Sequence, residues 1–374
     1  MMKTKILNKT KKAILVYVSF AKTKIFPEDL EEFRNLATSS GVEIVEEIVC
    51  RRPSPDPKYF IGQGKVEEIH SHVLLHEAEV VMFNHQLSPI QERNLEKYLG
   101  TEIVDYTQLI LNIFAKRARS FAGKLQVELA RLEHMSTRLV RGWTHLERQR
   151  GGIGLRGGPG EKQIEIDRRM LRRKINSLKK RLAKLEKQRV QNRRARKRSR
   201  IPVIALVGYT NAGKSTLFNK LVSADVKEDD QLFTTLDPTS RRMYLPNFGS
   251  VILIDTVGFI RDLPHELIDA FHATLEETNE ADLLLHVIDA HDQEKNRKIE
   301  IVNEVLKEIG ADKIPQLQVF NKIDLLLDFT TRVDLDENNL PKRVWLSAVN
   351  SIGFSLLFDV LQKTLLHDSD YGKV

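Results

Sequence analysis

A glycine-rich stretch at residues 208–215 has the residue types and spacing of a phosphate-binding loop, GxxxxGK[ST]. An apolar run at residues 203–207 precedes it, which places the loop between a strand and a helix. In such a loop the glycines let backbone N–H groups turn toward a β-phosphate, and Lys214 reaches the β- and γ-phosphates. The Ser215 hydroxyl is then a ligand for Mg²⁺. The spacing therefore predicts a nucleotide triphosphate site.

A second motif, NKID at residues 321–324, distinguishes between the bases. The carboxylate of Asp324 can accept hydrogens from both N1 and N2 of guanine, a pair of donors that adenine lacks. We expect Asn321 to brace the loop and the stem of Lys322 to cover the base. Because the motif follows an apolar run at residues 317–320, it favours GTP over ATP.

Further motifs follow in the order that a GTPase requires. Residues 251–255 predict a strand that ends in Asp255, a carboxylate expected to hold Mg²⁺ through water. The N–H group of Gly258 is expected to sense the γ-phosphate. A threonine of residues 233–235 would complete the shell around Mg²⁺ and the γ-phosphate, and residues 347–348 can close over the guanine O6. Residues 201–374 thus predict a GTP-binding and GTP-hydrolysing domain.

The predicted nucleotide site draws on residues from all of these motifs. Lys214 and Gly258 are expected to act in hydrolysis, with Ser215 and, through water, Asp255 on Mg²⁺. The residues expected to contact GTP are Gly208, Tyr209, Thr210, Asn211, Ala212, Gly213, Lys214, Ser215, Thr216, Phe233, Thr234, Thr235, Asp255, Thr256, Val257, Gly258, Asn321, Lys322, Asp324, Ser347 and Ala348.

Two positions in the site bear on how hydrolysis proceeds. Phe259 stands where many GTPases carry a water-orienting glutamine, and its apolar ring cannot orient water by hydrogen bonds. Hydrolysis must rely on positioning by other groups, which predicts a slow intrinsic rate. Asn211 has two interpretations, a ligand for K⁺ that bridges the β- and γ-phosphates and an asparagine that braces the loop. Mg²⁺ is the expected cofactor, and K⁺ is an open alternative.

The elements that would position these residues predict an α/β fold. Residues 1–106 alternate apolar runs with helical patterns and indicate an N-terminal α/β domain. Strands are expected at residues 13–18, 42–49, 79–83 and 103–105, and helices at residues 27–40 and from Ser88 and Pro89 onward. In residues 201–374 we expect a mostly parallel sheet with helices on both faces, the fold of a P-loop GTPase domain.

Between these domains, residues 107–200 predict a basic antiparallel helical hairpin with a tip loop at residues 142–160. Leucines and isoleucines recur at spacings of four and three on both sides of a loop rich in glycine. Residues 111–200 carry 28 Lys and Arg against 7 Asp and Glu, whereas acidic residues are in excess elsewhere. Such asymmetry indicates a polyanionic partner for the hairpin.

The candidate phosphate contacts at the tip are Arg148, Arg150, Arg156 and Lys162, and a flexible linker is the alternative interpretation of this loop. Its GxGxxG pattern does not predict a dinucleotide site, because a polar helical stretch precedes it instead of a strand. Residues 189–200 carry Lys and Arg without any acidic residue, and both a solvated linker and a nucleic-acid contact remain open.

Other residues limit the classes of protein. Cys50 is the sole cysteine, which excludes an internal disulfide and a cysteine-rich zinc site and fits a reducing cytoplasm. No apolar run is long enough to span a bilayer, and the basic and apolar residues at the N-terminus predict a first strand instead of a signal peptide. His70, His72 and His76 lie on a predicted helix, and solvated or core histidines are favoured over a metal site.

Several segments resemble the HflX GTPase family, and together they cover nearly the whole chain. They are residues 60–65, 84–95, 105–119, 123–130, 151–161 and 255–260. The resemblance implies a GTPase that binds the large (50S) ribosomal subunit and its rRNA, and that splits stalled or idle 70S ribosomes, notably under stress. The hairpin would insert its tip toward the peptidyl transferase centre. The resemblance also implies that Thr235, not Thr234, is the catalytic and Mg²⁺-binding switch threonine.

Alternative functions are a GTPase that assembles or controls the quality of ribosomal precursors, and an RNA-binding chaperone regulated by GTP. The family's link to ATP through the N-terminal domain is disfavoured, because residues 62–65 lack the context of a phosphate loop. A tRNA-modifying GTPase is disfavoured because the C-terminal cysteine of that chemistry is missing. We expect a cytoplasmic monomer whose hydrolysis is stimulated by the ribosome, with peripheral membrane association as a further option.

Overall fold

The computed structural model of the chain describes residues 10–20, 27–141, 159–198, 201–222, 239–261, 278–327 and 330–367. The chain forms two compact units. One comprises Met1–Lys116 and Val127–Ser177, and the other comprises Arg117–Gln126 and Leu178–Val374. In the described parts of the chain, no helix is both long enough and apolar enough to cross a membrane.

The first unit contains a four-stranded parallel sheet in the order β2-β1-β3-β4. Its strands are β1 (Lys12–Phe20), β2 (Glu43–Arg52), β3 (Val80–Phe83) and β4 (Glu102–Val104). Its helices are α1 (Pro27–Ser39), α2 (Gln63–His76), α3 (Pro89–Leu99) and α4 (Tyr106–Arg117). The predicted α/β domain is therefore confirmed, since each predicted strand and helix lies within a few residues of its expected position.

Local sequence signals explain where these helices begin and end. At the start of α3, the Ser88 side chain accepts from the Gln91 backbone N–H and the Gln91 side chain caps Ser88 in return. Pro89 occupies the first turn, as expected from its lack of an N–H group. Helix α2 ends at His76, where Glu77 adopts a left-handed conformation with φ of 52°.

A largely buried ionic cluster joins α5 (Phe121–Arg141) to α3 and to the residues that precede α3 and α4. The Arg138 guanidinium donates to the carboxylates of Asp105 and Glu92 and to the carbonyl of Leu87 at 3.3 Å. Burial lowers the pKa of Arg138, but two carboxylates compensate the charge. Asp105 also accepts from the Gln108 N–H at 2.8 Å, which caps α4.

The second long helix, α6 (Pro159–Arg198), begins earlier than expected. The predicted tip loop ran to residue 160, but proline fits the first turn of a helix and Pro159 opens α6 there. Lys162 lies in the first turns of this helix, and its side chain falls outside the described residues. The antiparallel pairing of α5 with α6 stays a prediction, as does the division of the chain at residues 106 and 200.

The second unit contains a seven-stranded sheet in the order β10-β11-β9-β8-β5-β7-β6. Its strands are β5 (Val203–Val207), β6 (Thr239–Leu245), β7 (Gly249–Asp255), β8 (Leu283–Asp289), β9 (Gln316–Asn321), β10 (Arg332–Leu335) and β11 (Pro341–Trp345). Its helices after α6 are α7 (Lys214–Val222), α8 (Lys295–Glu308) and α9 (Phe354–His367). The five central strands are parallel, and β6 and β10 pair antiparallel at the edges, which confirms the predicted sheet.

Candidate functional site

The predicted phosphate loop joins the buried strand β5 to helix α7 at the centre of the parallel sheet. Gly208 has φ of 148°, and a Cβ there would lie 2.3 Å from the carbonyl oxygen of Val287. Gly213 has φ of 91°, and its Cβ would lie 2.2 Å from Nδ2 of Asn321. Both positions require glycine, because a side chain would be strained and would collide with the neighbouring strands.

Lys214 is buried inside the curve of this loop. Its ammonium donates to the carbonyl oxygens of Gly208 at 3.0 Å and Tyr209 at 2.8 Å. Burial lowers the pKa of Lys214 from 10.5 to about 8, and the negative charge of Asp255 partly opposes this shift. A buried ammonium that remains charged near neutral pH favours a nearby anion, and a nucleotide polyphosphate has the charge and length to supply it.

Two side chains with oxygen atoms that could ligate a metal ion lie next to Lys214, one at the start of α7 and one at the end of β7. The Ser215 hydroxyl donates to Oδ2 of Asp255 at 2.8 Å, and the Asp255 residue is only 2% exposed. A hydroxyl and a carboxylate in contact are the oxygen ligands that Mg²⁺ prefers. The donor set therefore fits the magnesium ion that accompanies nucleotides in GTPases.

The segment after β7 pairs with the phosphate loop through its backbone. The Phe259 N–H donates to the carbonyl of Gly208 at 3.1 Å, and the Thr210 N–H donates to the carbonyl of Phe259 at 2.8 Å. A Cβ at Gly258 would lie 2.9 Å from Cγ2 of Thr210 and 3.0 Å from the Lys214 ammonium, so a side chain at this position would displace one of them. The Phe259 residue is 2% exposed and its ring packs in the interior, where it cannot orient a water molecule.

Asn321 connects the base-recognition motif to two other loops. Its Nδ2 donates to the carbonyl of Ala212 at 3.0 Å, and its Oδ1 accepts from the Ala348 N–H at 2.8 Å. The side chain is buried, so both hydrogen bonds are shielded from water. The bracing expected of Asn321 is thus found, and it brings the phosphate loop, residues 321–324 and residues 347–348 together.

The remaining members of this motif face outward. Asp324 lies exposed in a short 3₁₀ helix, Ile323–Leu325, where its carboxylate can meet a ligand from solvent. Lys322 has φ of 65°, and its ammonium donates to Oδ2 of Asp289 at 2.6 Å. Sequence reasoning missed Asp289, although it ends the apolar run of β8 beside β9 and could have been found by that position.

Three other side chains refine the predicted site. The Thr256 hydroxyl donates to the carbonyl of Leu206 at 2.5 Å in the interior, so it supports the sheet instead of facing a ligand. The Tyr209 hydroxyl accepts from the Arg261 N–H at 3.0 Å. Burial, with a contribution from the charge of Lys214, lowers the pKa of His286 to about 4, so this histidine beneath the loop is neutral.

Some predicted contacts lie outside the described residues. These are Phe233, Thr234 and Thr235 of the expected switch loop and Arg148, Arg150 and Arg156 of the expected tip. Of the other predicted phosphate-side residues, Thr210 and Val257 are buried, and Thr216 lies half-buried in the first turn of α7. On the base side, Ser347 is fully buried beside the braced Ala348.

Comparisons with known proteins agree with this geometry. Residues 27–115, 117–196 and 203–322 match the families described as GTP-binding GTPase N-terminal, GTP-binding GTPase Middle Region and 50S ribosome-binding GTPase, respectively. GTPase HflX of Escherichia coli (strain K12) is 56% identical over 353 residues, covering 94% of this chain and 82% of that protein. GTPase HflX of Caldanaerobacter subterraneus subsp. tengcongensis is 46% identical over 347 residues, 92% of this chain and 79% of that protein.

A solved structure is also similar over almost the whole length. The crystal structure of SsGBP in complex with GDP has a TM-score of 0.54 and 28% identity, covering 96% of this chain and 99% of that one. The geometry of the nucleotide site and the relatives that match over most of the chain indicate the same family. The chain belongs to the HflX family of GTPases, which are P-loop enzymes that bind and hydrolyse GTP.

Proposed function

We propose that this GTPase binds the large (50S) ribosomal subunit through its basic helices and splits stalled or idle 70S ribosomes, with hydrolysis stimulated by the ribosome. At the nucleotide, Lys214, Thr235 and Gly258 act on the γ-phosphate. Ser215 and Thr235 ligate Mg²⁺ directly, and Asp255 does so through water. Support for these roles comes from the positions of Lys214, Ser215 and Asp255 around one loop.

The observation that carries the ribosomal part of the proposal is the row of exposed cations on α6. Lys180, Lys184 and Lys187 are exposed and follow one another at spacings of four and three, so they share one face of the helix. A face of this kind offers several ammonium groups to regularly spaced phosphates of rRNA. The similarity of residues 203–322 to the 50S ribosome-binding GTPase family also supports it.

Neutralising this face is expected to weaken binding to 50S subunits. A triple variant, Lys180→Gln, Lys184→Gln and Lys187→Gln, should bind at least about tenfold more weakly and lower the slope of log K against log salt by about 2 to 3. Cosedimentation with purified 50S subunits over a range of KCl concentrations measures both quantities. The matched control replaces three exposed lysines that lie outside α6, Lys307, Lys313 and Lys342, by glutamine. Equal losses in the two triple variants would refute a specific role for α6.

Experiments with purified ribosomes distinguish ribosome splitting from the alternative functions. Sucrose-gradient sedimentation of 70S ribosomes with GTP, a non-hydrolysable analogue or no nucleotide should give free subunits with either nucleotide. Retention of 70S ribosomes together with binding to 50S precursors would favour the assembly GTPase instead, and remodelling of RNA without nucleotide would favour the chaperone. We expect ribosomes to stimulate hydrolysis, because Phe259 is buried and cannot orient the attacking water. GTP hydrolysis that is equally fast with and without ribosomes would contradict this stimulation.

We also propose that Asn211 ligates a K⁺ ion beside the β- and γ-phosphates. Asn211 has φ of 60°, and among the described residues its exposed side chain forms no hydrogen bond, so its amide oxygen is available. Hydrolysis is expected to be at least tenfold faster in KCl than in NaCl, because a bound cation offsets charge that develops on the phosphates. Asn211→Gly keeps the left-handed conformation and removes the amide, and it should abolish the difference between the salts. Equal rates of the native protein in both salts would exclude K⁺.

A further inference from the structure

A cluster of two histidines and one carboxylate lies in the N-terminal unit, on strand β2 and helix α2, outside the GTPase site. The side chains are Glu46, His72 and His76, and one ligand atom of each lies within 4.8 Å of the other two. Oε2 of Glu46 is 3.5 Å from Nε2 of His76 and 3.8 Å from Nδ1 of His72. We propose that these three residues form a binding site for a divalent transition-metal ion, with Zn²⁺ as the ion of best fit.

The fold brings the three residues together by a definite geometry. His72 and His76 are four residues apart on α2, so their rings lie on one face of the helix. The ring centroids are 6.0 Å apart and the two ring planes are nearly parallel, with an interplanar angle of 8°. Glu46 lies two residues before Ile48 on β2, and Ile48 packs in the core together with Val73 of α2. Because side chains two apart on a strand share a face, the Glu46 carboxylate emerges on the side that α2 covers.

The neighbouring glutamate shows how unusual this environment is. Glu47 faces the other side of β2 and forms a two-pronged ion pair with Arg34, at 2.5 and 2.7 Å. Among the described residues, Glu46 has no Lys or Arg partner, and its Oε1 accepts only from the Glu47 N–H at 3.3 Å. The second oxygen of Glu46 therefore points at two imidazoles instead of a fixed cation.

The histidine nitrogens are also available for a ligand. Nδ1 of His72 is buried and has no hydrogen-bond partner among the described residues. His76 is the last residue of α2, and the negative end of the helix dipole favours a cation there. The Lys12 ammonium donates to the backbone carbonyl of His76 at 3.3 Å, so it does not occupy the imidazole nitrogens.

The distances and donor types together select the ion. Zinc ligand bonds of about 2.0 to 2.1 Å in a tetrahedron place neighbouring ligand atoms about 3.3 to 3.4 Å apart. Two of the three separations are within about half an ångström of that value, so small rotations of His72 and Glu46 would complete the geometry. Two imidazoles and one carboxylate suit Zn²⁺ or Co²⁺, whereas Mg²⁺ and Ca²⁺ prefer oxygen ligands alone. Each side chain is about one-third exposed, which leaves the fourth position to water.

The test uses the 374-residue chain without nucleotide. Competition with a chromophoric chelator gives the affinity for Zn²⁺, and visible absorption of added Co²⁺ reports tetrahedral coordination. We expect one tightly bound ion per chain, and a loss of affinity of at least about 100-fold in His72→Gln, His76→Gln and Glu46→Gln. Two matched controls should keep the native affinity. His70→Gln alters a histidine of the same helix that packs on Tyr98, and Glu47→Gln alters the carboxylate paired with Arg34.

Several outcomes would overturn the site. The first is a dissociation constant for Zn²⁺ weaker than about 100 μM in the native protein. The second is equal affinity for Zn²⁺ in the three ligand variants and the two controls. The third is a visible spectrum of added Co²⁺ that lacks the bands of tetrahedral coordination. Far-ultraviolet circular dichroism and thermal unfolding of each variant serve as the check on folding, because GTP binding by the other unit would not report on the unit that holds the cluster. If one ligand variant fails this check, the two remaining variants still decide the question.

Discussion

Replacing Asp324 by asparagine is expected to lower the affinity for GTP by at least about 100-fold and to create affinity for xanthosine triphosphate. A carboxylate offers two acceptors to the N1 and N2 hydrogens of guanine, whereas an amide offers one acceptor and one donor. The amide donor would face the guanine amino group and leave both unsatisfied. Xanthine carries a carbonyl at C2 in place of that amino group, so the amide and xanthine match.

The change is expected to act on recognition without affecting the fold. Asp324 is exposed, and substitutions at exposed positions usually alter stability by less than about 0.5 kcal/mol. Fluorescent-nucleotide competition with GTP and xanthosine triphosphate measures the ratio of the two affinities. Asp312→Asn, a change at another exposed aspartate of the same unit, should leave that ratio unaltered. An unaltered ratio in Asp324→Asn would show that the carboxylate does not read the base.

Strand β5 and the phosphate loop could be predicted because their signals are local. The apolar run before Gly208 and the two glycines define a strand, a turn and a helix start within about a dozen residues, and the structure places all three as expected. The start of α3 was predictable for the same reason, since Ser88 and Pro89 act on the adjacent turn. Such features need no knowledge of the rest of the chain.

Features built from distant segments could not be predicted in this way. Nothing near His72 in the sequence indicates that Glu46, 26 residues earlier, would approach it, because that contact depends on how α2 covers β2. The pairing of Asp289 with Lys322 likewise depends on β8 lying beside β9. The residue type of Phe259 was enough to predict that this side chain cannot orient water as a glutamine would. Only the fold shows that the backbone of Phe259 pairs with Gly208 and Thr210.

Replacing Lys214 by methionine is expected to abolish measurable GTP binding and, at the same time, to stabilise the nucleotide-free protein. Burial lowers the pKa of Lys214 from 10.5 to about 8, so the folded protein bears a cost for holding the ammonium charged at neutral pH. That shift corresponds to roughly 3 kcal/mol. The variant also loses the two hydrogen bonds to the carbonyls of Gly208 and Tyr209. We therefore expect a net gain of about 1 to 2 kcal/mol in the free energy of unfolding.

The stability difference between Lys214→Met and the native protein is expected to depend on pH. Because the pKa of Lys214 is lower in the folded state than in the unfolded state, the cost is fully present below about pH 8 and is relieved as the pH rises toward 10.5. The advantage of Lys214→Met should therefore be largest at pH 7 and shrink at pH 9.5, as measured by urea unfolding without nucleotide. Lys220→Met, at an exposed lysine of the same helix, should show neither the gain nor its dependence on pH.

Added GTP and Mg²⁺ should then reverse the order of stability. A ligand that binds only the folded state adds about 2.7 kcal/mol at 100 times its dissociation constant, and the native protein gains this increment while the variant does not. The native protein thus becomes the more stable of the two only when the polyphosphate neutralises Lys214. A Lys214→Met protein that is less stable than the native one without nucleotide would contradict the view that the buried ammonium is held at a cost until GTP binds.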